Sequence, residues 1–188
     1  MNIANRLTIL RIFLAFICVF CILENTFLSL ILAVIFFLIA AASDYFDGKL
    51  ARRYKLVSDL GKLLDPVADK ILIIGVFLAF LQIHIISAVM VGLIMLREFT
   101  ITGFRLLVLN RKVVLEAKRF GKHKTVSQIV GILIIFFMLI IEKEFPASVF
   151  VTEIKPYVIN IVMWYVVIVT LSSGLYYLWA NRKLIKSF

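Results

Sequence analysis

Charge is scarce in this chain: Asp, Glu, Lys and Arg make up 17% of its 188 residues, against about 25% in a soluble domain. Apolar residues reach 63% and the mean hydropathy is +1.08, where a soluble domain carries about 45–50% apolar. One water-soluble core of this length cannot hide that much apolar side chain. A soluble globular enzyme and a disordered chain are both excluded. Proline and glycine are few, at 3 and 8, and no linker, low-complexity stretch or clear repeat divides the sequence. Residues 1–188 therefore read as a single domain. Cysteine is rarer still, with Cys18 and Cys21 close together in the first apolar run. Two thiols within one helical turn close no structural disulfide and complete no zinc site, so they read as packing residues. His84 and His123 have no partner at metal-ligand spacing and take no role. Two-residue alternation is also missing, which excludes a membrane β-barrel.

What is present is a series of long apolar runs. A bilayer core takes roughly 20 apolar residues per helical span. Six runs fit: Leu7–Leu23, Phe27–Ala42, Pro66–Ile83, Ile85–Leu109, Val126–Ile141 and Tyr157–Ala180. The expected fold is all-α: a polytopic membrane protein with six transmembrane helices in one bundle and an N-terminal interfacial segment. Pro146 and Pro156 bracket the longest expected outer loop, around Phe145–Pro156. The first run lacks a small-residue cleavage site and another follows at once, so it does not read as a cleavable signal.

The charges orient this bundle. Basic residues outnumber acidic ones, 21 to 11. With six spans, every Lys and Arg except Lys143 and Lys155 falls on one side or at its adjoining helix ends. Glu24, Glu142, Glu144 and Glu153 lie opposite. Positive-inside bias makes the basic side cytoplasmic, with both termini inside a multi-pass cell membrane protein. The net charge of +10 then reflects topology and attraction to anionic lipid headgroups, with no nucleic-acid partner.

Polar residues interrupt the spans mainly at the cytoplasmic ends of the second to fifth, where charge is costly and marks function. Asp44 and Asp47 share one helical face, and Asp65 and Asp69 share another. A short connection makes the two helices antiparallel neighbours, so four carboxylates can meet at the membrane surface. Unneutralised, they would repel strongly. Two divalent cations match their charge, and oxygen-only ligands select hard ions, Mg²⁺ first and then Mn²⁺ or Ca²⁺. A pair of such ions can clamp a phosphate undergoing in-line displacement. Gly48 and Gly61 permit close approach of a ligand to the backbone, Ala51 leaves room, and Arg52 offers a bidentate donor to phosphate oxygens. The blander alternative is that the aspartates end the helices or pair with Lys62, Lys70 and Arg52.

The run Asp44-x2-Asp47-Gly48-x2-Ala51-Arg52-x8-Gly61-x3-Asp65-x3-Asp69 resembles the complete signature of the CDP-alcohol phosphatidyltransferase family. That resemblance implies a six-helix membrane bundle, usually a homodimer, in which an alcohol displaces CMP from a CDP-linked lipid. It implies that Asp44, Asp47 and Asp65 ligate the metal ions, while Asp69 adds to the metal site and acts as general base. Gly48, Ala51, Arg52 and Gly61 would line the pocket for CMP and the diphosphate. No position of the signature departs from the pattern.

Four further stretches resemble the bacterial members of the family that use CDP-diacylglycerol and glycerol 3-phosphate and make phosphatidylglycerol phosphate. They are Asn2–Arg11, Leu63–Lys70, Arg97–Gly103 with Arg105, and Gly121–Gln128. A phosphorylated acceptor approaching four aspartates needs cations of its own. Arg97 and Arg105 lie nearly on one helical face, and Lys122 and Lys124 open the fifth span, at the positive end of its helix. Thr125 and Gln128 can add neutral hydrogen bonds. Other readings stand beside these: the two lysines snorkel and enforce topology, and Arg97 with Glu98 forms a structural ion pair. Asn5, Thr8 and Arg11 recur every third residue. They either form an interfacial anchor, or Asn5 and Thr8 cap the nucleotide or headgroup. Rival functions keep the chemistry with another acceptor (phosphatidylglycerol, serine or inositol phosphate), or replace it with an intramembrane prenyltransferase or an ion or proton transporter.

Overall fold

The computed structural model describes the backbone of residues 3–54, 59–109, 120–145 and 148–182, and the side chains of 9–43, 70–107, 123–145, 148 and 151–182. Among the described residues there are six α-helices and no strand. They are α1 (Ile3–Glu24), α2 (Phe27–Tyr54), α3 (Asp59–Gln82), α4 (Ala88–Leu109), α5 (Phe120–Glu144) and α6 (Val149–Ala180). By length and composition, two described stretches can cross a membrane, His123–Glu144 and Val151–Ala180.

Local chemistry ends and restarts these helices. Between α1 and α2, Asn25 takes a left-handed backbone (φ 49°), and Thr26 and Ser29 cap α2 reciprocally. The Ser29 N–H donates to Thr26 Oγ1 at 3.2 Å, and the Thr26 N–H donates to Ser29 Oγ at 2.9 Å. This is a capping box with serine in place of the usual acid or amide. After α3, His84 holds φ 58°. The Ile85 N–H reaches the Phe80 carbonyl at 2.9 Å and the His84 N–H reaches that of Leu81 at 3.0 Å. That pair of bonds is a Schellman motif, for which glycine is the usual residue. His84, with no role expected, serves as a helix terminator.

Two boundaries differ from expectation. Helix α3 starts at Asp59, so Pro66 falls inside it. Helix α6 starts at Val149, so most of the expected loop Phe145–Pro156 is helical, with Pro156 inside the helix; Pro146 lies outside the described residues. Proline removes one helical hydrogen bond, here the one to the Thr152 carbonyl, and Thr152 is exposed. The Lys155 ammonium bonds Glu142 Oε1 at 2.5 Å, fastening the first turns of α6 to the end of α5. Tertiary contact outweighs the local signal. At 1.5 Å per residue, the 32 residues of α6 extend about 48 Å, beyond the ~30 Å hydrocarbon thickness.

Helix α1 packs on both α2 and α3, α6 packs on α4 and α5, and the two groups are joined where α2 meets α5 and α3 meets α4 and α5. The join is aromatic. Phe136 of α5 meets Phe80 of α3 edge-on (centroids 5.2 Å, 74°) and lies 6.2 Å from Phe37 of α2. Such pairs contribute about 0.5–1.5 kcal/mol beyond area burial. Arg11, Ala15, Cys18 and Ile22 form the buried stripe of α1. Both cysteines are free thiols, and Cys18 donates to the Ala33 carbonyl at 3.4 Å, the contact of a packing residue. The opposite face of α1 is apolar too, with Phe13, Phe16 and Phe20 between 62% and 65% exposed.

Candidate functional site

Helix α2 runs unbroken through Asp44, Asp47, Gly48, Ala51 and Arg52, and α3 runs through Gly61, Asp65 and Asp69. Each aspartate pair is thus spaced about one helical turn apart on its own helix. The helices that bear the pairs touch one another, and each packs more extensively on α1. The side chains of Asn5, Thr8, Asp44, Asp47, Gly48, Ala51, Arg52, Gly61, Asp65, Asp69 and Lys122 lie outside the described residues. Among the described residues, no group of three or more His, Cys, Asp or Glu gathers as a metal site.

Directly after Asp69 comes Lys70, whose side chain is described. With Ile73, Ile74, Glu98, Lys124, Thr125 and Gln128 it lines a cleft of about 10 Å³, room for a single water molecule. The polar side of this cleft is a buried network. Lys124 forms an ion pair with Glu98 Oε1, Arg97 Nη1 lies 3.4 Å from the same oxygen, and Gln128 Nε2 donates to it at 3.2 Å. Gln128 Nε2 also lies 3.5 Å from Thr170 Oγ1, and Arg97 Nη2 donates to Ser173 Oγ at 2.9 Å. Helices α4, α5 and α6 are joined through these bonds.

Two apolar grooves flank α3. One of about 460 Å³ runs between α1 and α3 past Phe16, Val19 and Leu78. The other, about 360 Å³, runs between α3 and α4 past Phe99 and Ile74 and reaches Lys70. Gly75 lines both, and a Cβ there would sit 3.3 Å from Val19 Cγ2.

Of the expected acceptor cations, Arg97 and Lys124 are inside the network and Arg105 is exposed. The Arg105 guanidinium carbon lies 5.2 Å from the Tyr177 ring centre, so both arginines of α4 turn toward α6. Arg11 is only 1% exposed, which overturns the interfacial-anchor reading for that residue: its face of α1 points into the bundle. Thr170, Ser173 and Gly174 went unremarked in the sequence, although together they break the last apolar span. Gly174 is needed because a Cβ would come within 2.8 Å of Arg97 Cγ. Gly174→Ala is accordingly expected to push Arg97 off Ser173 and cost about 1–3 kcal/mol, read as a lower Tm in detergent; an unchanged Tm would show that the contact relaxes freely.

The sequence profile of the CDP-alcohol phosphatidyltransferase family matches residues 1–172. The chain is 31% identical over 182 residues to the CDP-diacylglycerol–glycerol-3-phosphate 3-phosphatidyltransferase of Rickettsia felis, covering 97% of this chain and 96% of that one. It is 33% identical to the Bacillus subtilis protein of the same name over 155 residues, 81% of this chain and 75% of that one. To the Mycoplasma genitalium protein of that name it is 36% identical over 148 residues, 70% of this chain and 63% of that one. The family match takes in both aspartate pairs and the network that joins α4, α5 and α6 as far as Thr170; the chain belongs to the CDP-alcohol phosphatidyltransferase family.

Proposed function

We propose that this chain transfers the phosphatidyl group of CDP-diacylglycerol to glycerol 3-phosphate, releasing CMP and forming phosphatidylglycerol phosphate. The relatives named for that reaction support it over most of the chain. The observation that carries it is the place of Lys70: on α3 it follows Asp69, and it lines the cleft that also holds Lys124, Glu98 and Gln128. The reacting end of α3 therefore abuts a cluster whose described members include Lys70, Lys124 and Arg97 beside Glu98, a set of cations that suits a phosphorylated acceptor.

The reaction runs at the cytoplasmic face of a six-span bundle in the cell membrane. An apolar exterior over an apolar core supports a membrane setting, since a soluble domain rarely exposes rows of phenylalanine such as Phe13, Phe16 and Phe20. In a background without native cysteines, a single cysteine at Glu144 is expected to react with an impermeant maleimide in intact cells. One at Asn110 should react only after permeabilisation, and the reverse pattern would invert the topology.

Four carboxylates on two unbroken helices form an all-oxygen donor set that fits hard divalent cations, so Asp44, Asp47, Asp65 and Asp69 would hold two Mg²⁺, with Mn²⁺ as a substitute. Bound there, the ions supply charge stabilisation to the diphosphate oxygens. Gly48, Ala51, Arg52 and Gly61 seat the nucleotide and diphosphate, with Asn5 and Thr8 beside them, and the grooves flanking α3 admit acyl chains. Asp69 accepts the proton of the acceptor's primary hydroxyl as its oxygen attacks the lipid-linked phosphorus in line. The bond to the bridging oxygen breaks and CMP leaves with that electron pair, while Arg52 offsets its growing charge. Arg97, Arg105, Lys122 and Lys124 serve the acceptor phosphate.

Purified protein given CDP-diacylglycerol, Mg²⁺ and each candidate alcohol tests the reading. CMP release and labelled phosphatidylglycerol phosphate are expected with glycerol 3-phosphate, and none with serine, inositol phosphate or phosphatidylglycerol. Turnover with one of those alone would replace the acceptor.

A further inference from the structure

We infer that Glu98 is a positioning residue for the acceptor site: its carboxylate, fixed by Gln128, aims the Lys124 ammonium at the acceptor's phosphate. The inference rests on the proposed reading of Lys124 as a phosphate ligand. By charge alone, a carboxylate beside such a ligand weakens anion binding, so its presence there calls for a role other than attraction. Geometry supplies one. Lysine carries a point charge on a flexible four-carbon stem and does not orient itself. Here Lys124 is paired with Glu98, and the side chains are only 11% and 5% exposed. The carboxylate is itself held, because Gln128, one turn beyond Lys124 on α5, donates to Glu98 Oε1 and also reaches Thr170 of α6. Arg97 approaches the same oxygen and is tied to Ser173. Among the described residues two cations, Arg97 and Lys124, meet this carboxylate, and Lys70 lines the same cleft. The pair thus directs the ammonium without cancelling the cluster's attraction for a phosphate.

The two roles predict opposite signs. If Glu98 aims Lys124, Glu98→Gln raises the KM for glycerol 3-phosphate about tenfold, the value of one charge-assisted hydrogen bond, and leaves the KM for CDP-diacylglycerol within about twofold. If it only offsets charge, the same substitution lowers the acceptor KM. A purely structural role changes thermal stability and neither KM. Lys124→Gln and the double variant complete a cycle. Each single change raises the acceptor KM, and the double variant does so no more than the larger single one. Additive effects, a lowered or unchanged acceptor KM in Glu98→Gln, or a parallel rise in both KM values would overturn the inference. Should Glu98→Gln not fold, Gln128→Leu carries the test. It removes the donor that fixes the carboxylate, with the contact to Thr170, and leaves both charges of the pair in place; an acceptor KM raised by about threefold or more is expected, and no rise overturns the inference. Wild-type CMP release that depends on glycerol 3-phosphate is the control. Its failure sinks the proposed function, whereas its success alongside unaltered variants sinks the role of Glu98 alone.

Discussion

Asp69→Asn is expected to lower CMP release by roughly 10³-fold, within the 10²–10⁴ range of a well-placed general base, while the protein still extracts as a monodisperse species. The amide keeps the size of the side chain but cannot accept the hydroxyl proton, and it takes one negative charge from the proposed ion site. Both losses act on the same step. Asp44→Asn and Asp47→Asn act only on the second, so they separate the two contributions: excess divalent ion should recover much of their activity, whereas in Asp69→Asn it leaves the loss of the base in place. Substantial turnover by Asp69→Asn would remove Asp69 from the role of base. A proton transfer late in the step needs no carboxyl with an elevated pKa, so the assignment requires only reach.

Exhaustive chelation is expected to have a comparably large effect, taking turnover to background, with Mg²⁺ restoring it and Mn²⁺ substituting. Four carboxylates brought together as proposed would repel one another without counterions, and the diphosphate would bring further negative charge to the same place. Without cations the substrate is repelled from its own site. The restored activity should rise with Mg²⁺ to a plateau and be unaffected by monovalent salt at equal ionic strength. Full activity in chelator would leave the aspartates as charge partners of Arg52, Lys62 and Lys70, the bland alternative of the sequence.

Much of the helical fold was legible because apolar runs are long and their ends are polar. The runs from Leu7, Phe27, Ile85 and Val126 all fall largely within observed helices. Boundaries were less legible where a residue's local preference and its contacts disagree. Pro156 signals a break, yet the bond between Lys155 and Glu142 holds the turn that contains it. His84 gives no sign in sequence of a left-handed terminator, a position usually marked by glycine. Thr170 and Ser173 carry no local sign of a role, and their meaning comes from Gln128 and Arg97, far away in the chain.

Spacing alone settles which helix carries each aspartate pair and how far apart the pair lies, since an unbroken helix converts sequence interval into distance. Composition settles the apolar character, and the length of the apolar runs with the lack of two-residue alternation settles the helical class. Partner choice is different. No local pattern says which groups of the protein hold Arg97 and Lys124 in place. Packing of α4 against α6 sets Arg97 on Gly174 and Ser173, while Lys124 meets Glu98 across α4 and α5. Only the tertiary structure decides this, because buried charges take whichever partner the packed helices bring within reach.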